Sequence, residues 1–210
     1  MDLDIIEYLE RELEDELPGE SSHIKMSPIP NHIPAIHDDH KIACVLILLY
    51  PKNKIWHLLL VKRAHNENDN HSAQISFPGG KLEDSDYSHS DCALRETHEE
   101  VGIDPSSVGI IGELSSIFVV ASNFMVYPFV GFTSSEPNFE PDTDEVEYII
   151  EVPLEQLLEN KYVKRKPITI SNGTLIDNVP YFNFSGEVVW GATAMILSEL
   201  KDILSKSDLL

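Results

Sequence analysis

Apolar residues recur at three- and four-residue spacing near both ends of the chain. The first such segment covers residues 2–17, before Pro18, and the second runs from Trp190 to about Ser205. This spacing places apolar side chains on one face of an α-helix, so we predict an amphipathic helix in each segment. A polar, proline-containing connection is expected from Gly19 to about Asp39.

Most other apolar runs are short and rich in β-branched residues, which is typical of β-strands. The predicted strands cover residues 41–50, 55–63, 74–77, 108–119, 125–132, 146–152, 162–170 and 179–184. The first two are close enough to predict a hairpin. A short helix at 153–159 and an acidic loop at 134–144 are also expected. Because strands outnumber helices and alternate irregularly with them, the pattern favours an α+β fold with a layered sheet over a doubly wound parallel sheet.

One internal segment, about residues 90–101, has a helical pattern. Ser88 or Ser90 can cap its start, and Gly102 can end it. At roughly 100° per residue, its three glutamates lie on one face, opposite the apolar side chains. These glutamates are Glu96, Glu99 and Glu100.

Size and charge limit the classes of partner. The chain has 210 residues, 42% of them hydrophobic, which is enough for one substantial core. We expect one domain at residues 40–205, after an N-terminal helix and connection at 1–39. The formal net charge of −21 argues against nucleic acid or an anionic membrane as a partner. A small phosphorylated ligand fits this charge if divalent cations bridge its phosphates to carboxylates.

The cysteines and the N-terminus predict a cytoplasmic protein without structural zinc. Cys44 and Cys92 are the only cysteines and have no CxxC spacing, so neither a disulfide framework nor a zinc site is indicated. The N-terminus is acidic where a signal peptide would be basic. The longest apolar run, Ile42 to Tyr50, is shorter than the ~20 residues of a spanning helix.

The acidic helix face can bind divalent metal ions. Glu96 and Glu100 are one turn apart and can reach the same ion, while Glu99 can hold a second ion or a bound water. Like charges at this spacing repel unless a cation neutralises them, and Arg95 can pair with Glu99. The alternative is an ordinary solvated acidic face.

The segment around this helix resembles the Nudix box, a Gly and a Glu followed by Arg-Glu-aliphatic-x-Glu-Glu-x-Gly-aliphatic. The matching positions are Arg95, Glu96, Glu99, Glu100, Gly102 and Ile103. Thr97 stands where an aliphatic residue is usual, and Asp86 stands in place of the upstream Glu. Counted from Gly80, Arg95 comes one residue late, an insertion that the loop ahead of the helix can absorb.

This resemblance implies an α/β/α sandwich with a mixed sheet and metal-dependent hydrolysis of a diphosphate bond in a nucleotide-containing metabolite. Mg²⁺ or Mn²⁺ would be held by the three glutamates, and both ions accept an all-carboxylate site. Arg95 belongs to the catalytic set, and Glu99 or Glu145 is the candidate general base. Glu145 can equally be an ordinary acidic loop residue. Gly79 and Gly80 would let backbone N–H groups approach a phosphate or a metal-bound water.

A narrower resemblance links the chain to the coenzyme A diphosphatases of the same superfamily. That branch has a leucine-rich strand ending in a basic residue, then His-x-Gly-x-Val-x-Phe-Pro-Gly-Gly and, near the end, Trp-Gly-x-Thr-Ala. The corresponding residues here are Leu59, Leu60, Arg63, His71, Ala73, Ile75, Phe77 to Gly80 and Trp190 to Ala194. The resemblance implies coenzyme A or an acyl-coenzyme A as substrate, with Arg63, His71, Gly79, Gly80 and Lys81 as substrate-binding residues.

Departures from this branch keep other functions open. Val61 replaces a usual Thr, and the next loop lacks a usual Arg, so Lys62, Arg63 and Lys81 are the remaining candidates for the extra 3′-phosphate of coenzyme A. ADP-ribose, a dinucleotide polyphosphate or a non-catalytic binding role are the alternatives. His71 can be structural, and Trp190 fits the core better than a base-stacking platform. The N-terminal helix can pack on the domain or form a homodimer contact.

Overall fold

The computed structural model describes residues 3–29, 36, 39–64, 74–170, 173–207 and 209. Its helices are α1 (Asp4–Glu14), α2 (Glu20–Met26), α3 (His89–Val101), α4 (Leu154–Leu158) and α5 (Gly191–Leu204). Its strands are β1 (Lys41–Lys52), β2 (Ile55–Arg63), β3 (Ile75–Ser76), β4 (Gly79–Lys81), β5 (Gly109–Glu113), β6 (Ile117–Val119), β7 (Phe124–Phe132), β8 (Val146–Pro153), β9 (Val163–Thr169), β10 (Leu175–Phe184) and β11 (Glu187–Val189). Within the described part of the chain, no helix is long and apolar enough to cross a membrane.

The eight-stranded sheet is mixed and contains a split that positions the site. β1 runs parallel to β7 and antiparallel to β2 and β4. The β1–β2 hairpin turns at Asn53 and Lys54, both with positive φ. Its ladder extends only as far as the pair Leu49 and Leu58. Beyond that pair, β2 pairs with β3 and β1 pairs with β4. The glycines of β4 therefore lie where the two strands of the hairpin diverge.

Helices cover both faces of this sheet. Along β1, Leu46 and Leu48 face a core that includes residues of α3, whereas Ile47 and Leu49 face a core that includes residues of α1, α4 and α5. This alternation follows from the two-residue period of a strand whose faces are both buried. The α+β class and the α/β/α sandwich with a mixed sheet are confirmed.

A second, three-stranded antiparallel sheet has the order β11-β10-β9. β11 was not predicted, because Glu187 to Val189 is too short to show an alternating pattern. The single strand expected at 108–119 is divided into β5 and β6, which pair separately with β7.

The N-terminal region differs most from the prediction. The polar connection expected at Gly19 to Asp39 contains α2, seven residues long, whose buried side chains Ser22, His23 and Met26 are mostly polar. α1 occupies its predicted segment, and its buried Ile5, Ile6 and Leu9 belong to the same core as α5. The sequence left two arrangements open for the first helix, and the structure shows its apolar face packed on the domain.

Candidate metal-binding active site

The caps of α3 fix the register of its three glutamates. Ser88 Oγ accepts a hydrogen bond from the Asp91 amide at 3.1 Å, and Gly102 adopts a left-handed conformation that ends the helix. Thr97, in the aliphatic position of the motif, is buried and donates its hydroxyl hydrogen to the Ala93 carbonyl at 2.7 Å. The helix therefore tolerates the substitution, since the buried hydroxyl has a partner.

The glycine pair of β4 brings backbone against two of the glutamates. The Gly79 amide donates to Glu100 Oε2 at 3.1 Å, and a Cβ on Gly79 would lie 2.3 Å from the Cys44 carbonyl oxygen. A Cβ on Gly80 would lie 2.3 Å from Glu96 Oε2. Only glycine at position 80 leaves room for the Glu96 carboxylate in this place. In the structure these glycines lie against carboxylates, and the expected approach of their N–H groups to a phosphate or a metal-bound water stays a prediction.

Glu100 is the most deeply buried of the three carboxylates, with 2% of its surface exposed. Burial raises its pKa to about 7, because the charged form loses water, while the Arg63 guanidinium, 3.5 Å away, and the Gly79 amide act in the opposite direction. Burial also raises the pKa of Glu96. The charge of Glu145 contributes to raising both pKa values, which shows that it lies near both groups.

Glu145 reaches this position through the start of β8. Its carbonyl oxygen accepts a hydrogen bond from the Ala64 amide at 2.7 Å, directly after Arg63 at the end of β2. Its side chain is exposed. The structure thus brings Arg63, Glu96, Glu100 and Glu145 to one region, although sequence separates them by up to 82 positions.

Arg95 connects three carboxylates around the site. Its guanidinium donates to Asp86 at 2.8 and 3.0 Å and to Glu96 and Glu99 at 2.9 Å each. The pair with Glu99 was predicted from the four-residue spacing. The bidentate pair with Asp86 was missed, and its one sequence signal was that Asp86 occupies the upstream acidic position of the motif.

The donor set fits hard divalent cations such as Mg²⁺ or Mn²⁺, which prefer carboxylate oxygens. Glu96 and Glu100 carry a desolvation penalty that a cation would offset. No three acidic, histidine or cysteine side chains of the described residues converge as a preformed cluster. Glu99 is instead directed to Arg95, and Glu100 to Gly79 and Arg63, so ion binding would require these side chains to reorient.

The other residues singled out in the sequence lie in different surroundings. Lys81 is exposed at the end of β4, and its carbonyl oxygen accepts from Arg95 at 3.2 Å. Trp190 is only partly buried, not enclosed in the core. His71 lies outside the described residues, so its role stays a prediction. Cys44 and Cys92 are free thiols in the core.

Comparison with known proteins gives one family. The model of the NUDIX domain matches residues 39–172. The chain is 31% identical over 173 residues to the Uncharacterized Nudix hydrolase NudL of Pectobacterium atrosepticum, covering 82% of this chain and 86% of that protein. It is 34% identical over 163 residues to the protein of the same name from Escherichia coli K12, covering 77% and 82%.

Solved structures show the same fold at low sequence identity. The Nudix hydrolase RenU from M. smegmatis has a TM-score of 0.52 at 15% identity and covers 81% of this chain and 89% of that one. The MutT protein of Methanosarcina mazei Go1 has a TM-score of 0.52 at 19% identity and covers 82% and 100%.

Proposed function

This chain belongs to the Nudix family, whose members are hydrolases that act on pyrophosphate bonds, and we propose that it cleaves the diphosphate bond of coenzyme A or an acyl-coenzyme A. Hydrolysis of coenzyme A would give phosphopantetheine and adenosine 3′,5′-bisphosphate. One observation supports a hydrolytic role above all others: Glu96 and Glu100 lie against the backbone of Gly79 and Gly80. The charges of Arg63 and Glu145 act on the same carboxylates.

The glutamates of α3 are the proposed metal ligands. Mg²⁺ or Mn²⁺ held by Glu96, Glu99 and Glu100 would offset the charge of the diphosphate and lower the pKa of a bound water. Arg95 would restrain Glu96 and Glu99, because its guanidinium contacts both carboxylates and is itself fixed by Asp86. Arg63, at the edge of the site, adds a positive charge that can face the substrate phosphates.

Glu145 is our preferred general base. Water attacks one phosphorus, the bond from that phosphorus to the bridging oxygen breaks, and the proton of the water passes to a carboxylate. The Glu145 side chain is exposed and close to the charges of Glu96 and Glu100. Glu99, the other candidate, is held by Arg95, whose guanidinium donates to its carboxylate at 2.9 Å.

Two segments that resemble the coenzyme A branch lie in contact and support this substrate class. Thr193, in the Trp-Gly-x-Thr-Ala segment at the start of α5, donates its hydroxyl hydrogen to the Ile75 carbonyl at 3.2 Å. Ile75 lies just ahead of the Phe-Pro-Gly-Gly segment. The contact places the start of α5 beside the strand that leads into the active site.

The runner-up is hydrolysis of another nucleoside diphosphate conjugate, such as ADP-ribose or a dinucleotide polyphosphate. Val61 favours it, because this residue replaces a Thr of the coenzyme A branch and is fully buried, where it cannot contact a substrate. A purely binding role would not require the three glutamates of α3.

The test is turnover of a substrate panel by the purified protein with Mg²⁺ or Mn²⁺. The panel contains coenzyme A, acetyl-coenzyme A, dephospho-coenzyme A, ADP-ribose and a dinucleotide polyphosphate, and products are separated by chromatography. We expect adenosine 3′,5′-bisphosphate from coenzyme A. Preferred cleavage of ADP-ribose or the dinucleotide would support the runner-up, and no turnover of any compound would contradict a catalytic role.

Variants assign the roles of individual residues in the same assay. Glu96→Gln and Gly80→Ala should each lower turnover by about 10²-fold or more, since one removes a metal ligand and the other places a methyl group against it. Glu145→Gln should lower kcat by about 10²–10⁴-fold if Glu145 is the base. Glu147→Gln, which neutralises an exposed glutamate of the same segment, is the matched control and should retain wild-type turnover.

A further inference from the structure

A polar cleft of about 340 Å³ lies between the main sheet and the three-stranded sheet. Lys62 and Ile75 line it from β2 and β3, and Lys166 and Glu187 line it from β9 and β11. Trp190 completes the wall at the start of α5. The cleft contains none of the α3 glutamates, so it is separate from the candidate metal site.

The charges of this cleft favour an anion. Lys62 and Lys166 supply two ammonium groups, and Glu187 supplies one carboxylate, 3.9 Å from Lys62. Tyr148 donates a hydrogen bond to the other oxygen of the Glu187 carboxylate at 2.8 Å, so Lys62 shares this carboxylate with a second partner. In a chain with a net charge of −21, a cleft with a net positive charge is an unusual local environment.

The same cleft offers an aromatic surface. Trp190 is partly exposed there, whereas Trp56, the other tryptophan, is buried. Indole faces stack on heteroaromatic bases without requiring a particular pattern of hydrogen bonds. An anionic group and an aromatic ring are the two parts of a nucleotide that such a cleft can bind together.

The position of the cleft connects it to the candidate catalytic site. Lys62 and Arg63 are consecutive at the end of β2, about 3.3 Å apart along the strand, and their side chains point to opposite faces of the sheet. Arg63 contacts Glu100 on the catalytic side, and Lys62 lines the cleft on the other side. Consecutive residues of one strand therefore line the two sites.

We propose that this cleft binds the 3′-phosphate and the adenine of the substrate nucleotide, an inference that rests on the proposed function. Lys62 and Lys166 donate hydrogen bonds to the phosphate monoester, and Trp190 packs against the base. A monoester carries about −1.5 to −2 charges at pH 7, more than one phosphate of the diphosphate bridge, so two ammonium groups select for it. These lysines supply the charge that the loop arginine of the coenzyme A branch would otherwise provide.

The kinetic test compares coenzyme A with dephospho-coenzyme A, which lacks only the 3′-phosphate. Lys166→Gln should lower the ratio of the two kcat/KM values by about tenfold, the effect of losing one charged hydrogen bond. Glu187→Gln should raise the ratio, because it removes the negative charge of the cleft. Lys164→Gln is the matched control, since Lys164 is an exposed lysine of the same strand outside the cleft. An unchanged ratio in Lys166→Gln would overturn the inference.

A binding measurement separates this inference from the proposed function. Adenosine 3′,5′-bisphosphate and AMP, which differ only in the 3′-phosphate, are titrated calorimetrically into the purified protein with EDTA present. We expect the bisphosphate to bind about tenfold more tightly, with the preference lost in Lys166→Gln and kept in Lys164→Gln. If this pattern holds but no coenzyme A is hydrolysed, the cleft is supported and the proposed function fails. If coenzyme A is hydrolysed and Lys166→Gln changes neither measurement, the function stands and the assignment of the cleft fails.

Discussion

Arg95 shows how a single residue organises the acidic face. It contacts Asp86, Glu96 and Glu99, so one guanidinium offsets part of the repulsion among the carboxylates of α3. The Asp86 side chain is only 3% exposed, and its hydrogen bonds from Arg95 lower its pKa to about 2. Asp86 is therefore a positioning residue for Arg95, which in turn orients two proposed metal ligands.

Asp86→Asn should destabilise the protein by about 2 kcal/mol at pH 7, the value that a pKa lowered from 3.8 to about 2 implies. Because the folded-state pKa is the lower one, this contribution is present above about pH 4 and is lost as the pH falls towards 2. Urea unfolding at pH 7, 5 and 3 measures it, with Asp84→Asn, an exposed aspartate of the same loop, as the control. A variant that is equally destabilised at pH 7 and pH 3 would contradict the ion pair as the cause.

At the scale of elements, a buried carboxylate attaches α2 to the domain. Glu199 of α5 is 0% exposed and accepts hydrogen bonds from the Gly19 amide, from the Ser115 amide and hydroxyl, and from His23. A seven-residue helix is too short to be stable alone, so these contacts explain why α2 forms. They join three parts of the chain that lie up to 180 positions apart.

Glu199→Gln should lower the free energy of unfolding by about 3 kcal/mol, because the new amide group faces donors where the second carboxylate oxygen accepted hydrogen bonds. Hydrogen exchange should show that the amides of α2 lose protection first. Asp202→Asn is the comparison, since the more exposed Asp202 also contacts α2, at Ser22 and Lys25, and its replacement should cost less than about 1 kcal/mol. Equal protection of α2 in the wild type and Glu199→Gln would contradict this attachment.

For the whole molecule, the dominant electrostatic fact is the excess of 36 acidic over 15 basic residues. Self-repulsion opposes the compact state, and any added salt screens it. The metal site adds a specific effect, because an ion that binds only the folded state stabilises it by mass action. The two effects separate when salts are compared at equal ionic strength.

MgCl₂ should raise the melting temperature more than NaCl at the same ionic strength. At about 100 times the dissociation constant the extra stabilisation is about 2.7 kcal/mol, which for a domain of this size corresponds to roughly 5–10 °C. Thermal scans of the wild type and of Glu96→Gln measure this difference, and the variant should respond equally to both salts. Equal shifts for MgCl₂ and NaCl in the wild type would argue against a specific metal site.

The sequence alone determined the features that depend on neighbouring positions. A cap at Ser88 or Ser90, the end at Gly102, the register of the three glutamates and the β1–β2 hairpin were all predicted, because helix ends, helix faces and tight turns involve residues within a few positions of one another. The family also followed from one continuous motif. The coenzyme A substrate and the role of His71 stay predictions.

Only the tertiary structure decided which distant groups meet. It paired Asp86 with Arg95 and buried Glu100 beneath Gly79. It also buried Glu199, although an acidic residue of a helix near the chain end would be expected to face water. It also formed α2 and the cleft between Lys62 and Lys166. Such contacts depend on how separate elements pack, and the burial of a polar group becomes favourable only when its distant partners are in place, which no local pattern records.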